Sequence, residues 1–348
     1  MRDVKELVCN SMETYSKMSP RFITLEITTA CNKRCSYCYH SENNLKNKRH
    51  ISNSLLKDVF TFIVNNGIQG VAITGGEPVL YPNFSYLIKE LYKIVNSITV
   101  FTNGIGLHEG LYESIAEDRI YVNYSFDYDD IRNFEILENM MSFIPTNNLK
   151  VSLVYNGQEI EDFVECIRHI RKLFSGEIQI NYAQFKGHAI YSDRVVSRMI
   201  ELSKRLIKYN QTEALRIEGQ YISAPVNSYF HQYKESSFNC SICNNLKIDI
   251  DGKIFPCPFF TELKYCIGSV KNYSEPQKLS DNIILRNMKK KLFSRVYSGK
   301  CFICKWNELC GGGCLLCLET GDESGVNQIS CLLNFAIYNY IDSIWKLR

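Results

Sequence analysis

Cys31-Asn-Lys-Arg-Cys35-Ser-Tyr-Cys38 places three thiols at the spacing C-x3-C-x2-C. The loop directly follows Arg21-Phe-Ile-Thr-Leu-Glu-Ile-Thr-Thr29, whose β-branched and apolar residues predict a strand. Three thiolates on one short loop suit three corners of a cuboidal iron–sulfur cluster and leave the fourth iron without a protein ligand. Zinc is the lesser alternative, with His40 joining Cys31, Cys35 and Cys38. A c-type haem attachment is excluded, because it needs His directly after the second Cys of C-x-x-C, and Tyr39 stands there.

Moving outward, strands and helices alternate. Ser52 can cap a helix that carries Leu55, Leu56, Val59, Phe60 and Ile63 at helical spacing and ends at Gly67. A buried strand over 70–74 then runs into Gly75-Gly76-Glu77-Pro78. Adjacent glycines let backbone approach a ligand closely or adopt positive φ, and Pro78 stiffens the exit; the same string also serves a plain strand-to-helix turn. Helices are expected over 83–96, near 108–117, over 131–143 and over 158–174, with strands over 97–101, 120–126, 149–155 and 177–183. Six such repeats imply parallel pairing with right-handed crossovers, and ligands gather at the carboxyl ends of parallel strands in such α/β folds. The cysteine loop, Gly75, Gly76, Glu77, Asn103, Ser125 and Asn156 all fall at those ends. Arg132 is read as an exposed helix-face residue or a carboxylate partner.

The 348 residues carry 40 basic and 37 acidic side chains, a balance that argues against a nucleic-acid surface. Lys289-Lys290-Lys291 reads as a solvated helix face. No secretory signal and no uninterrupted apolar stretch of membrane-spanning length is visible, so a cytoplasmic, membrane-free protein is expected. Fifteen cysteines in a reducing compartment call for metal ligation or catalysis rather than disulfides. Ten of them lie between Cys240 and Cys331, beyond a linking helix expected over 192–215. There Cys240 and Cys243 precede a hairpin-like stretch whose turn is Asp251-Gly252, ending at Cys257. Cys301, Cys304, Cys310, Cys314 and then Cys331 follow.

The cysteine loop, including the aromatic Tyr37 before its last thiol, resembles that of the radical S-adenosylmethionine (radical SAM) enzymes, and Gly75-Gly76-Glu77-Pro78 is similar to their SAM amino-group motif. The resemblance implies an open, six-fold (β/α) partial barrel in an α/β fold. It implies that the open iron chelates SAM, that electron transfer cleaves SAM to methionine and a 5′-deoxyadenosyl radical, and that this radical takes a hydrogen atom from substrate. It places Tyr37, Gly75, Gly76, Glu77, Asn103, Ser125 and Asn156 at the cofactor. For Asn103 and Ser125 the alternative is a turn residue satisfying local backbone.

The C-terminal cysteines resemble the SPASM extension of radical SAM enzymes that modify peptides. That implies two auxiliary four-iron clusters, one on Cys240, Cys243, Cys257 and Cys314, the other on Cys301, Cys304, Cys310 and Cys331, making three clusters in all. Zinc ribbons are the alternative for paired C-x2-C motifs. The division expected is a lead-in over 1–20, the barrel over 21–215, and a linker with the SPASM domain over 216–348. Cys9, Cys166, Cys266 and Cys317 are left over; Cys166 reads as a buried apolar residue, Cys317 also as an alternative ligand, and Cys266 or Cys317 as hydrogen donors.

The reaction expected is thioether, carbon–carbon or carbon–oxygen cross-linking of a ribosomally made precursor peptide. Peptide epimerisation, which needs a hydrogen donor, and a small-molecule dehydrogenase are the alternatives. A non-catalytic scaffold or electron-transfer protein has no use for a SAM amine site. In the sulfatase-maturing members an Asp follows the position of Cys257; here it is Pro258, which has no proton acceptor. About 20 residues before the first strand are too few for a winged-helix leader-binding domain, so a separate leader-binding protein or the barrel itself is expected to recognise any leader, with flavodoxin or ferredoxin as electron donor.

Overall fold

Alternation of apolar residues along the first strand sets the pattern for the whole sheet. In β1 (Phe22–Glu26) Ile23 and Leu25 are fully buried toward the helices, while Thr24 and Glu26 point the other way. The computed structural model describes residues 20–38, 40, 47–183, 192–231, 244–273, 279, 282–296, 299–314 and 328–345. The expected lead-in up to residue 19 lies outside them, as do Cys9, Cys240, Cys243 and Cys317.

After β1 come α1 (Asn53–Asn65), β2 (Gly70–Thr74), α2 (Phe84–Ile94), β3 (Ser97–Thr102), α3 (Glu109–Ile115), β4 (Ile120–Phe126), α4 (Arg132–Phe143), β5 (Leu149–Tyr155), α5 (Ile160–Leu173) and β6 (Glu177–Tyr182). These six strands pair in parallel in sequence order. Ser52 caps α1 by accepting from the Leu55 N–H at 3.2 Å, and Gly67 at φ +61° lets the chain turn back. Leu56, Val59, Phe62 and Ile63 bury the inner face of α1, each side chain contributing roughly 1.5–3 kcal/mol. In α5, Glu161 and Asp162 in the first turn and Arg171 and Lys172 in the last complement the helix dipole.

The sheet does not stop at six strands. Beyond β6, α6 (Asp193–Thr212) leads to the short β7 (Ile217–Glu218) on one edge, followed by α7 (Ser223–His231). On the other edge β8 (Asn245–Ile248) pairs in parallel with β1 and turns into β9 (Lys253–Phe255), which carries β10 (Gly268–Ser269). The Asp249 carboxylate accepts from the N–H groups of Asp251 and Lys253, and Gly252 takes φ +77°, so the Asp-Gly turn forms where the sequence places it. The hairpin therefore extends the barrel sheet instead of standing apart from it, a pairing across some 220 residues that no local pattern encodes.

Three further helices, α8 (Ile283–Val296), α9 (Gly299–Phe302) and α10 (Asn307–Cys310), precede the terminal α11 (Gln328–Trp345). α11 packs on α6 and α7. Trp306 stacks on Tyr338 at 5.6 Å between ring centroids and donates to Asn339 Oδ1 at 3.1 Å; Tyr229 donates to Asp342 and Tyr221 to Ser330. Among the described residues, no helix is long and apolar enough to cross a membrane.

Candidate active site

β1 delivers the cysteine loop to the carboxyl end of the sheet, where three neighbouring strand ends hold it. Gly76 N–H donates to Thr28 O at 2.8 Å and Glu77 N–H to Ala30 O at 2.7 Å, so the segment after β2 runs directly against the start of the loop. A Cβ on Gly76 would lie 2.2 Å from Ala30 O, and one on Gly75 2.3 Å from Thr28 O. The glycines are thus required by backbone approaching backbone. From β3, Asn103 donates to Asn32 Oδ1 at 2.8 Å, and Asn32 in turn to Ile105 O. From β4, Asp127 accepts from Lys33 Nζ at 2.9 Å.

Glu77 is 1% exposed. It takes the Thr102 hydroxyl at 2.6 Å and the Asn103 N–H at 2.8 Å, clamping β2 to β3. Burial pushes its carboxyl up to about 7 despite those donors. His40 approaches Gly75 O with Nε2 at 3.1 Å, which puts the imidazole proton on Nε2, and burial lowers its affinity for a second proton.

Cys31, Cys35, Cys38 and Tyr37 line one end of a cavity of about 920 Å³, together with His40, Gly75, Gly76 and Glu77. Burial raises all three thiols, Cys35 to about 11; Cys38 is an electrostatic neighbour of Cys35, and Cys31 of Cys38. Tyr37 hydrogen-bonds Cys35. Among the described residues, no three Cys, His, Asp or Glu side chains converge on a single metal ion. A cuboidal cluster asks for a different arrangement, each thiolate on its own iron, and three half-buried neighbouring thiols on one loop fit it.

The remaining expected site residues divide. Ser125 lines the cavity. Asn103 lines it too, but its carboxamide is engaged by Asn32 and by the Ile105 N–H. Asn156 is not among the lining residues; its N–H donates to the Gln158 side chain. Arg132 has a side chain 72% exposed and pairs with Asp130, as an outward-facing helix residue does. Cys266 donates to Gly268 O at 3.3 Å and is likewise not in the cavity wall.

In the C-terminal region Cys301, Cys304, Cys310 and Cys331 come into one neighbourhood: Cys310, raised to about 11 by burial, has Cys331 and Cys301 beside it, and Cys331 has Cys304. Asn334 donates to Cys310 Sγ at 3.3 Å. Cys314 lies near Tyr221, and Cys257 is half-buried two residues before Phe259, which reaches the cavity wall.

The radical SAM superfamily model matches residues 25–188, the stretch from β1 past β6. Residues 25–188 are a radical SAM domain. Relatives in sequence include the GTP 3',8-cyclase of Peptoclostridium acidaminophilum, 28% identical over 68% of this chain and 79% of its own length. They also include the cysteine-type anaerobic sulfatase-maturating enzyme of Clostridium perfringens, 23% identical over 90% of this chain and 92% of its own. Among solved structures, AdoMet-bound anSMEcpe superposes with a TM-score of 0.75 at 18% identity, covering 93% of this chain and 94% of that one. Streptococcus suis SuiB bound to precursor peptide SuiA superposes with a TM-score of 0.69 at 15% identity, over 93% of this chain and 79% of that one. The shared fold spans both the radical SAM domain and the cysteine-rich region after it.

Reading the sequence missed what lies inside this radical SAM barrel. Alternate positions of β4, β5 and β6 turn Asn123, Lys150, Ser152, Gln179 and Asn181 into the lumen, beside Ser125. The signal was present as polar residues such as Asn123, Ser125, Lys150, Ser152, Gln179 and Asn181 at alternate positions of otherwise largely apolar strands. Asn32 and Lys33, between the cysteines, were likewise unread as the ties that fix the loop.

Proposed function

We propose that this radical SAM enzyme modifies a ribosomally made peptide, forming a thioether, carbon–carbon or carbon–oxygen cross-link. The observation that carries the reading is the continuity of the shared fold through the cysteine-rich region into proteins solved with peptides bound, SuiB with SuiA and anSMEcpe with the Kp18Cys peptide. Cys31, Cys35 and Cys38 would hold the first four-iron cluster, and Gly75 to Glu77 with Ser125 would border SAM. When bound, the pair supplies hydrogen-atom abstraction. The chain's own work is to fix the cysteine loop through Asn32, Lys33 and Glu77 and to orient the substrate within the lumen.

Cys240, Cys243, Cys257 and Cys314, and separately Cys301, Cys304, Cys310 and Cys331, would hold two auxiliary clusters able to accept the electron that an oxidative cross-link releases. Pro258 in place of an acidic residue speaks against formylglycine formation. A reducing cytoplasm, a flavodoxin- or ferredoxin-like donor and a separate leader-binding protein complete the proposal.

The cyclase relatives raise nucleotide cyclisation as a second reading. The cavity's charges favour the peptide: of the described lining lysines, Lys33 is paired with Asp127 and Lys150 with Glu177, so neither stands ready for a triphosphate. Anaerobic co-expression with a short peptide encoded beside the gene, followed by mass spectrometry, tests the reading. A product lighter by two hydrogens supports it; a peptide of unchanged mass and altered chirality replaces cross-linking with epimerisation. Turnover of GTP by the reduced enzyme would replace both.

A further inference from the structure

Asn123 breaks the rule that buried polar groups are partnered. It is 7% exposed, lies in the wall of the barrel cavity, and among the described residues its Oδ1 accepts no hydrogen bond. It stands in register between Phe101 on β3 and Lys150 on β5, with Ser125 two residues further along the same inward row. Its neighbours have settled partners: Lys150 pairs with Glu177 at 2.5 Å, and the Ser152 hydroxyl accepts from Asn181 Nδ2 at 2.8 Å.

A buried carbonyl oxygen left without a donor costs free energy, and a ligand that donates to it recovers the loss. The carboxamide presents a donor and an acceptor side by side, the complement of a peptide unit. A half turn about its last side-chain bond, where the torsion is broad and two-fold, exchanges them. The group has no charge to offer an anion, and the lysine beside it is already neutralised. We infer that Asn123 is a specificity-determining residue that hydrogen-bonds a backbone amide of the substrate inside the lumen, an assignment that rests on the peptide reading above.

The probe is a pool of end-blocked decapeptides of random sequence, offered to the anaerobically reconstituted, SAM-loaded protein, with GTP in a parallel arm. Retained peptides are read by mass spectrometry, and the tightest binder is resynthesised with single amide-to-ester replacements. One replacement is expected to weaken wild-type binding about tenfold, the loss of one hydrogen bond, and to leave binding by Asn123→Leu unchanged. Asn123→Asp keeps the shape of the side chain and carries the test where the leucine variant melts early or loses iron. It should bind poorly near pH 8 and regain affinity toward about pH 6, because a protonated acid again offers donor and acceptor. Wild-type affinity in both variants, or an aspartate variant indifferent to pH, overturns the assignment while the peptide reading stands. A wild-type protein that retains no peptide, and above all one that retains GTP, overturns the peptide reading and this assignment with it.

Discussion

The two groups of cysteines are built into opposite surroundings. Cys31, Cys35 and Cys38 sit on a loop fixed by polar ties, at the end of an open cavity. Cys301, Cys304, Cys310 and Cys331 lie among packed elements, beside the stacked rings of Trp306 and Tyr338; from the described part of the chain after residue 216, Phe259 alone reaches the cavity wall. On the proposed function, the first group needs an approach for its ligand, and the second, proposed to accept electrons, does not.

The sharpest break in that comparison would come from one cysteine on each side. Cys35→Ala should lower anaerobic 5′-deoxyadenosine formation by about a thousandfold or more, because on the proposed function one corner of the cluster that meets SAM would lose its ligand. Cys310→Ala should keep a measurable rate of SAM cleavage while losing about four irons per chain and the cross-linked product. Loss of all cleavage in Cys310→Ala would mean that the two sites are not separable.

A second test concerns the seam between them. Lys247 on β8 and Glu26 on β1 form a buried pair at 2.7 Å. Lys247→Met leaves the Glu26 carboxylate buried without its cation and should cost about 3–5 kcal/mol by denaturant titration, with most of it restored by adding Glu26→Gln. Additive losses would show that the seam does not couple the two regions.

Glu77 gives a pH signature confined to the first region. Its carboxyl is raised from 4.5 to about 7, so between those values the folded chain holds a proton that the unfolded chain has released. Stability should therefore fall as pH rises through that window, by about 3 kcal/mol at most, and flatten above it. Glu77→Gln should remove the slope, and a melting series over that range reads it. At the small end, Arg132→Ala breaks an exposed pair with Asp130 and should change stability by no more than about 0.5 kcal/mol. A lost SAM-cleavage rate in that variant would bring Arg132 into the site after all.

Much of this was legible in the residues, for identifiable reasons. The barrel strands and helices carry strict apolar periodicities, and Ser52 and Gly67 act at the positions where helix caps belong. Three closely spaced thiols announce their own site. What local pattern cannot express is contact across great chain separation, as in the pairing of β8 with β1 or the meeting of Lys247 with Glu26. Nor does it show which polar residues serve the backbone: Asn103 and Glu77 are consumed in tying strand ends together, while Asn123, which carries no motif, faces the lumen unpaired.

The parallel pairing of β8 with β1 also orders events in time. Until the ribosome has delivered residue 248, β1 has a bare edge and Glu26 lacks its cation, although the cysteine loop emerged some 200 residues earlier. Closing so long a stretch of chain is slow compared with forming neighbouring turns. A nascent polypeptide thus displays its thiols before the scaffold beneath them is complete, and on the proposed function delivery of iron and sulfide would belong after translation rather than during it.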